Sequence, residues 1–550
     1  MIKKLLFVVM SISFINAYAV DGLLQKHIEA GKKAYRQYAD RNHHLQIKAS
    51  KGLTAYAVGD TTTFWRWNLS VMPPIWIQES ATCRAVGERS YVFVANSQWE
   101  ISMNQDDVDS VKHYLEDVTL TSSEMGIVEM NSTYFGEIPD EIDGDPRVIF
   151  YFSALGSFQG SVFDGYFSSF NQLTEAEAQL SGNHSNECEM LYMSCNPVDA
   201  SSYSTLSVLA HELQHLIHWG YDPYEETWVD EGCAEFAMVL FGHPDPIVAF
   251  PLKPNNNLIK WDRQFSDYVQ VMLFFTYVAE HYGGPDFIKQ LVADPAHGIA
   301  GFNNTLSIFG HDCYFPEIFS IWTLANFIDD INFLNGDFGY HSFNVPTFAT
   351  EAGYSQFPVE RSNSLENCAA HYYYLPVDFT SAKLDFTPNG GYWDVNLIAY
   401  EDYTAKDLIT VNFDSSFIIS QPDSFNLTRL VLAITNKEIG MSSRNYTFSV
   451  NNATAVAEFG SEIINHYNIN SYPNPFNSKT SIRIKIANDA YTTVAIYNIK
   501  GELVEQLVNE KLKRGAYNII WNAENKISGT YFIRLKTGDS IINKKCLLLK

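Results

Sequence analysis

Residues 209–215 read Leu209-Ala-His-Glu-Leu-Gln-His215, and Trp228-Val-Asp-Glu-Gly-Cys-Ala-Glu235 follows shortly after. Residues four apart on a helix share a face. His211 and His215 can therefore aim two imidazole nitrogens at one point, with Glu212 beside it. A carboxylate from a following helix would complete three protein ligands and leave a fourth position for water, as catalytic zinc requires. Around this motif, Leu206, Leu209, Leu213, Leu216 and Ile217 make an apolar face at helical spacing. His211, His215 and His218 are predicted on the opposite side. Ser204 and Thr205 are candidate N-caps, and Gly220 and Pro223 stop the helix. A second helix is expected from about Thr227 to Leu240. The plain alternative is a surface helix with two unrelated histidines, and the ordered helix signals weigh against it.

Glu231 and Glu235 share a helix face, so spacing alone leaves both open as the third ligand. The metzincin extension requires Gly at position 218 and His at position 221, whereas the chain has His218 and Tyr221. The segment Trp228–Glu235 resembles the Trp-x-Asn-Glu-Gly-x-Ala segment of the gluzincin metallopeptidases, with Asp230 in place of Asn. The resemblance implies zinc on His211, His215 and Glu231, with Glu235 orienting His211, a support that metal-bound imidazoles commonly require. Tyr134-Phe-Gly-Glu-Ile-Pro-Asp140, Asp143-Gly-Asp-Pro-Arg147 and Trp322-Thr-Leu-Ala-Asn326 extend the resemblance to hyicolysin-like secreted bacterial peptidases. It covers roughly residues 60–350, firmly at the zinc motif and loosely elsewhere. The gluzincin aminopeptidases carry Gly-x-Met-Glu-Asn upstream. This chain has Gly126-Ile-Val-Glu-Met-Asn131, in another order, which favours an endopeptidase.

The expected chemistry is metal-assisted amide hydrolysis of extracellular proteins or peptides. Glu212 acts as general base and carries the proton to the leaving amine. Tyr268 is the preferred donor to the oxyanion, with Tyr221, Tyr224 and His281 as alternatives; the plain reading of Tyr268 is a core aromatic. His218 is expected at the helix end, near the dipole. A rival reading is a cell-surface binding or adhesion protein on a peptidase fold without turnover. An enzyme of the same site type acting on something other than protein is a further possibility.

The ends of the chain describe its route. Met1-Ile-Lys-Lys4, an apolar run from Leu5 to Ile15 and Ala17-Tyr-Ala19 form a secretory signal peptide over residues 1–19. Ser471-Tyr-Pro-Asn-Pro-Phe-Asn477 opens a final segment of alternating runs with Gly501, Gly515, Gly529 and Gly538 in turns. Together with Lys544-Lys-Cys-Leu-Leu-Leu-Lys550 it resembles the C-terminal sorting domain of the type IX secretion system. This implies export through the periplasm to the cell surface or beyond, with that machinery as a partner. The plain alternative is an Ig-like accessory domain.

At 550 residues the chain is too long for one core. The expected fold is multidomain α+β. A zincin-like domain at 56–355, a mixed sheet followed by helices, precedes two small β-sandwiches, an accessory one at 361–455 and the sorting domain at 467–550. Residues 20–55 form an arm or propeptide. Helices are expected near 205–218, 227–240, 265–282, 285–293 and 315–330. A net charge of −26 argues against nucleic acid. No stretch is long enough to span a membrane, and Val269–Ala279 reads as a core helix. Of seven cysteines, Cys188 and Cys195 are close enough in sequence to close a small loop. Cys233 reads as a small buried side chain. Asp140-Glu-Ile-Asp-Gly-Asp145 is a candidate calcium loop, a solvated acidic turn being the equal alternative.

Overall fold

The computed structural model describes residues 55–453 and 468–548, apart from positions 72, 141, 159, 160, 335, 473–475, 477, 487–489, 514 and 539. The expected signal peptide, nearly all of the N-terminal arm and the linker after residue 453 lie outside the described residues. Among those described, no helix is long and apolar enough to cross a membrane.

Strands β1 (Thr61–Asn68), β2 (Ile75–Val86), β3 (Ser90–Ala95), β4 (Val148–Ser153), β5 (Gly165–Phe167) and β6 (Met190–Ser194) form one sheet in the order β1-β2-β3-β4-β6-β5. The central strands β3, β4 and β6 run parallel. They are buried at every position, as their unbroken apolar runs require. Alternate side chains serve two cores. Val92, Val94, Phe150, Phe152 and Leu191 face the helices. Tyr91, Phe93, Tyr151 and Tyr192 face away into an aromatic layer.

Helices α1 (Gln105–Glu116) and α2 (Ile127–Phe135) precede β4. After β6 the chain turns helical: α3 (Tyr203–Tyr221), α4 (Thr227–Phe241), α5 (Phe265–Tyr282), α6 (Pro285–Val292), α7 (Gly298–Ile308) and α8 (Phe315–Ile328). Five of these six match the expected helices; α7 was not expected. Its mixed Gly-Ile-Ala-Gly-Phe-Asn-Asn sequence carries a weak period. Two details differ from expectation. The N-cap of α3 is Ser202, whose hydroxyl accepts from Thr205 N at 3.3 Å. Nor is α3 two-faced: His211, His215 and His218 are buried as well, at 9%, 8% and 1% exposure, because β5 and β6 cover one side and α4 the other.

The pair α4–α5 is packed to contact. A Cβ on Gly232 would sit 2.3 Å from the Phe275 ring, so only glycine lets the two backbones approach this closely. Val269–Ala279 is indeed a core segment within α5. Each fully buried side chain there, such as Phe274, contributes about 1.5–3 kcal/mol.

Residues 352–452 form two facing sheets of four and five strands. The five-stranded sheet is not a detached module. Tyr372, Ile398, Tyr400, Val431 and Ala433 join the apolar core of the helices. The Tyr372 hydroxyl donates to Thr323 O at 2.6 Å, and the Thr323 and Thr435 hydroxyls pair at 2.9 Å. Residues 468–548 add sheets of three and four strands around Ile482, Ile484, Trp521, Ile533 and Leu535.

The seven cysteines are free thiols. Cys188 and Cys195 cannot close the small loop allowed by their spacing. They flank the extended strand β6 and, an odd number of residues apart, point to opposite faces: Cys188 into the aromatic layer, Cys195 into the helical core. Cys233 is fully buried on α4, as a small packing residue should be.

Candidate metal centre

The short 222–226 connection folds α4 back against α3. In such an antiparallel pair, one turn forward on α3 faces one turn back on α4. His211 meets Glu235, with Nδ1 3.3 Å from Oε1. His215, one turn later, meets Asp230, with Nδ1 3.0 Å from Oδ1. Each carboxylate holds the Nδ1 side of a ring, which turns both Nε2 atoms toward one point. They lie 3.1 Å apart. Glu231 Oε2 completes the group, 3.5 Å from His211 Nε2 and 3.7 Å from His215 Nε2.

The donor set fits a single zinc ion. Ligand bonds of about 2.1 Å in tetrahedral geometry separate ligand atoms by about 3.4 Å. The three observed separations bracket that value. All three residues are at least nine-tenths buried. Two imidazoles and one carboxylate, with carboxylates behind both rings, are a donor set and support of the kind that zinc sites use.

The electrostatics follow from the same contacts. Burial alone would raise the Glu231 carboxyl, but hydrogen bonds from His211 and His215 outweigh it and hold the group down at about 2. Burial disfavours the charged His215, yet Asp230 and then Glu231 overcome this and lift it to about 9. His211 is raised well above its usual value by Glu231 and Glu235 against the same burial cost. The pocket thus concentrates negative potential that attracts a proton or a cation.

Glu212 sits on the next position of α3, only partly covered. The backbone N–H of Phe167, on edge strand β5, donates to its Oε2 at 2.8 Å. Burial raises its carboxyl, partly offset by His211 and His215. Asp245, beyond α4, interacts with both Glu235 and His211, and burial pushes it well above the usual range.

The other candidate residues have contacts of their own. Tyr268 is buried in the first turn of α5, its ring edge-on to Trp261 with centroids 4.8 Å apart. The Tyr221 hydroxyl receives Glu137 N at 3.0 Å. The Tyr224 ring packs on His297. His281 Nε2 lies 3.0 Å from Gly339 O. His218 lies in the last turn of α3, as expected, but is buried there, 1% exposed, with Nδ1 3.2 Å from Asp230 Oδ1. The sequence reading missed Asp230 as the partner of His215. The antiparallel register was the available signal: if Glu235 serves His211, the partner of His215 must lie about a turn earlier on α4.

The acidic loop is divided in its use. Asp145 accepts from the Tyr91 hydroxyl at 2.6 Å and from Arg147 at 3.1 Å. Asp143 is buried beside Glu189; burial raises the two carboxyls to about 6 and about 9. Among the described residues, no three acids of this loop bring ligand atoms within 4.8 Å of one another.

Comparison with known proteins bears on the end of the chain. Residues 470–549 match the family described as the secretion system C-terminal sorting domain. The chain is therefore a type IX cargo, directed to the outer cell surface or the extracellular space. No curated protein matches the chain. Among solved structures, PorZ, a surface component of the type-IX secretion system of Porphyromonas gingivalis, is 17% identical over 18% of this chain and 14% of its own, with a TM-score of 0.13. A Faecalibacterium prausnitzii β-glucuronidase is 8% identical over 35% and 38%, with a TM-score of 0.14. Tripeptidyl peptidase 2 is 10% identical over 38% and 26%, with a TM-score of 0.17. The chain thus spans well under half the length of each, and overlaps this loose define no common fold.

Proposed function

We propose that this protein is a secreted zinc-dependent endopeptidase of gluzincin type. Its zincin-like domain would occupy about residues 56–355, with the 361–455 sandwich as an accessory and residues 467–550 as the export tag. The observation that carries the reading is the convergence of His211 Nε2, His215 Nε2 and Glu231 Oε2 on one point beside Glu212. Zinc bound there supplies a Lewis acid for the substrate carbonyl and lowers the pKa of a water towards about 7.

The rest of the work falls to the chain itself. Glu235 and Asp230 fix the two imidazoles with Nδ1 protonated and Nε2 free to bind. Phe167 N–H engages one oxygen of Glu212. The other oxygen is left to accept the water's proton and deliver it to the leaving amine. Tyr268 remains the proposed oxyanion donor. The rival, a surface binding protein without turnover, predicts decay of this arrangement, yet Glu212 and all three ligands are present.

The test is incubation of the secreted protein with casein, with and without a zinc chelator. Cleavage that stops with chelator and returns with added zinc is expected. Undiminished zinc content in His211→Ala would overturn the assignment. Glu231→Gln should lose metal more severely than Glu235→Gln; the reverse order would move the ligand to Glu235.

A further inference from the structure

About two helical turns beyond His215, where α3 ends, three more ligand-type side chains converge. Asp222 is the C-cap of α3, Glu225 lies in the 222–226 connection, and His297 is the residue before α7. One ligand atom from each lies within 4.8 Å of the other two. His297 Nδ1 is 2.7 Å from Asp222 Oδ2. Glu225 Oε1 is anchored by two backbone amides, Gly298 N at 2.7 Å and Glu226 N at 2.5 Å. The approach of the two segments is built in. Gly298 has φ +58, and a Cβ there would lie 2.3 Å from the Glu226 carboxyl.

Two further observations separate this group from an ordinary surface ion pair. The second oxygen of Glu225, in a side chain 6% exposed, has no hydrogen-bond partner. His218 is 1% exposed; its Nδ1 is turned to Asp230, and its Nε2 likewise has no hydrogen-bond partner while the ring interacts with the charge of Glu225. Buried polar atoms are almost always satisfied, and an orphan among ligand-type groups marks an ion or water site. Two carboxylates close together inside the protein resist both being charged, and a cation between them would relieve that cost.

We propose that Asp222, Glu225 and His297 form a second divalent-cation site, separate from the centre at His211, His215 and Glu231. One imidazole with two carboxylates suits zinc or manganese, and His297, with its side chain 43% exposed, leaves a solvent-facing position for water. The site joins the end of α3 to the start of α7, tying the helix that carries the zinc motif to a segment far along the chain. Its role is structural, and it does not depend on the peptidase reading.

The experiment measures zinc content and stability in the full-length secreted protein. After stripping with chelator and equilibration with zinc alone, wild type should hold two equivalents. His297→Ala and the isosteric Asp222→Asn should each hold one, as should His211→Ala; the double variant His211→Ala/His297→Ala should hold none. Added zinc should raise the melting temperature of His211→Ala and not that of the double variant. If His297→Ala and Asp222→Asn, folded by circular dichroism, both keep the wild-type zinc content, the second site is overturned. If His211→Ala alone keeps full zinc, the peptidase centre fails and the second site stands.

Discussion

Two buried charged clusters lie on opposite sides of the same sheet region, and they are built on opposite principles. In the first, Arg66 meets Glu79 on the adjacent strand with Nε 2.5 Å from Oε2. The hydroxyls of Tyr151, Ser153 and Ser97 also donate to Glu79, at 2.8, 2.6 and 2.7 Å. The carboxylate is answered entirely by the protein. In the second, His211, His215 and Glu231 turn lone pairs toward a common point, and the carboxylates behind the rings add more negative charge. Here the imidazoles answer the carboxylates only by taking up protons, and a cation at the common point would take the place of those protons. A buried charge with its own counter-charge is architecture; buried lone pairs aimed at one point call for a ligand.

The contrast can be broken at its strongest point by Glu212→Gln. On the proposed mechanism the ligands stay while the proton carrier is lost, so casein hydrolysis should fall by about 10²–10⁴-fold at unchanged zinc content. Wild-type turnover in that variant would refute the assigned role.

The architectural cluster should respond in stability instead. Glu79→Gln leaves the Arg66 charge buried and poorly answered, at a cost of about 3 kcal/mol, measured by urea unfolding. Its pH dependence has a definite sign. Burial would raise the Glu79 carboxyl, but Arg66 and then Ser153 lower it below its usual value overall. That stabilisation is present above the ordinary carboxylate range and is lost as pH falls through the depressed folded value. The acid limb of the wild-type stability curve should be flatter in Glu79→Gln. An identical acid limb would show that Glu79 is not the titrating group.

A smaller effect sharpens the picture of the proposed metal centre. Asp230→Asn keeps a hydrogen-bond acceptor near His215 and removes the charge, so zinc affinity should drop about 10- to 100-fold. Competition with a calibrated chelator measures it, and unchanged affinity would reduce Asp230 to a packing residue. The smallest effect on chemistry is expected from deleting residues 467–550. Export should fail and leave the protein in the periplasm of a type IX-competent host, while zinc content and casein turnover per chain stay the same. Normal appearance outside the cell would defeat the sorting assignment.

Local sequence determined a good deal of this molecule. The 3.6-residue period marked α3, α4, α5, α6 and α8, and unbroken apolar runs marked β3 and β4, because those signals are written in consecutive residues. The i, i+4 spacing brought His211 and His215 together, and the terminal alternating strands announced the sorting domain. Tertiary structure decided what depends on neighbours distant in the chain. The antiparallel register of α3 and α4 paired Asp230 with His215. Burial on both sides, which no one-helix pattern encodes, took His218 out of solvent. The strand between Cys188 and Cys195 kept their thiols apart on opposite faces. The five-stranded sheet of residues 352–452 merged with the helical core through Tyr372 and Val431. His297 reached Asp222 only because Gly298 permits the close approach of two segments that share no local signal. Periodicity reports which face of an element is apolar; which element covers that face is settled only when the whole chain is packed.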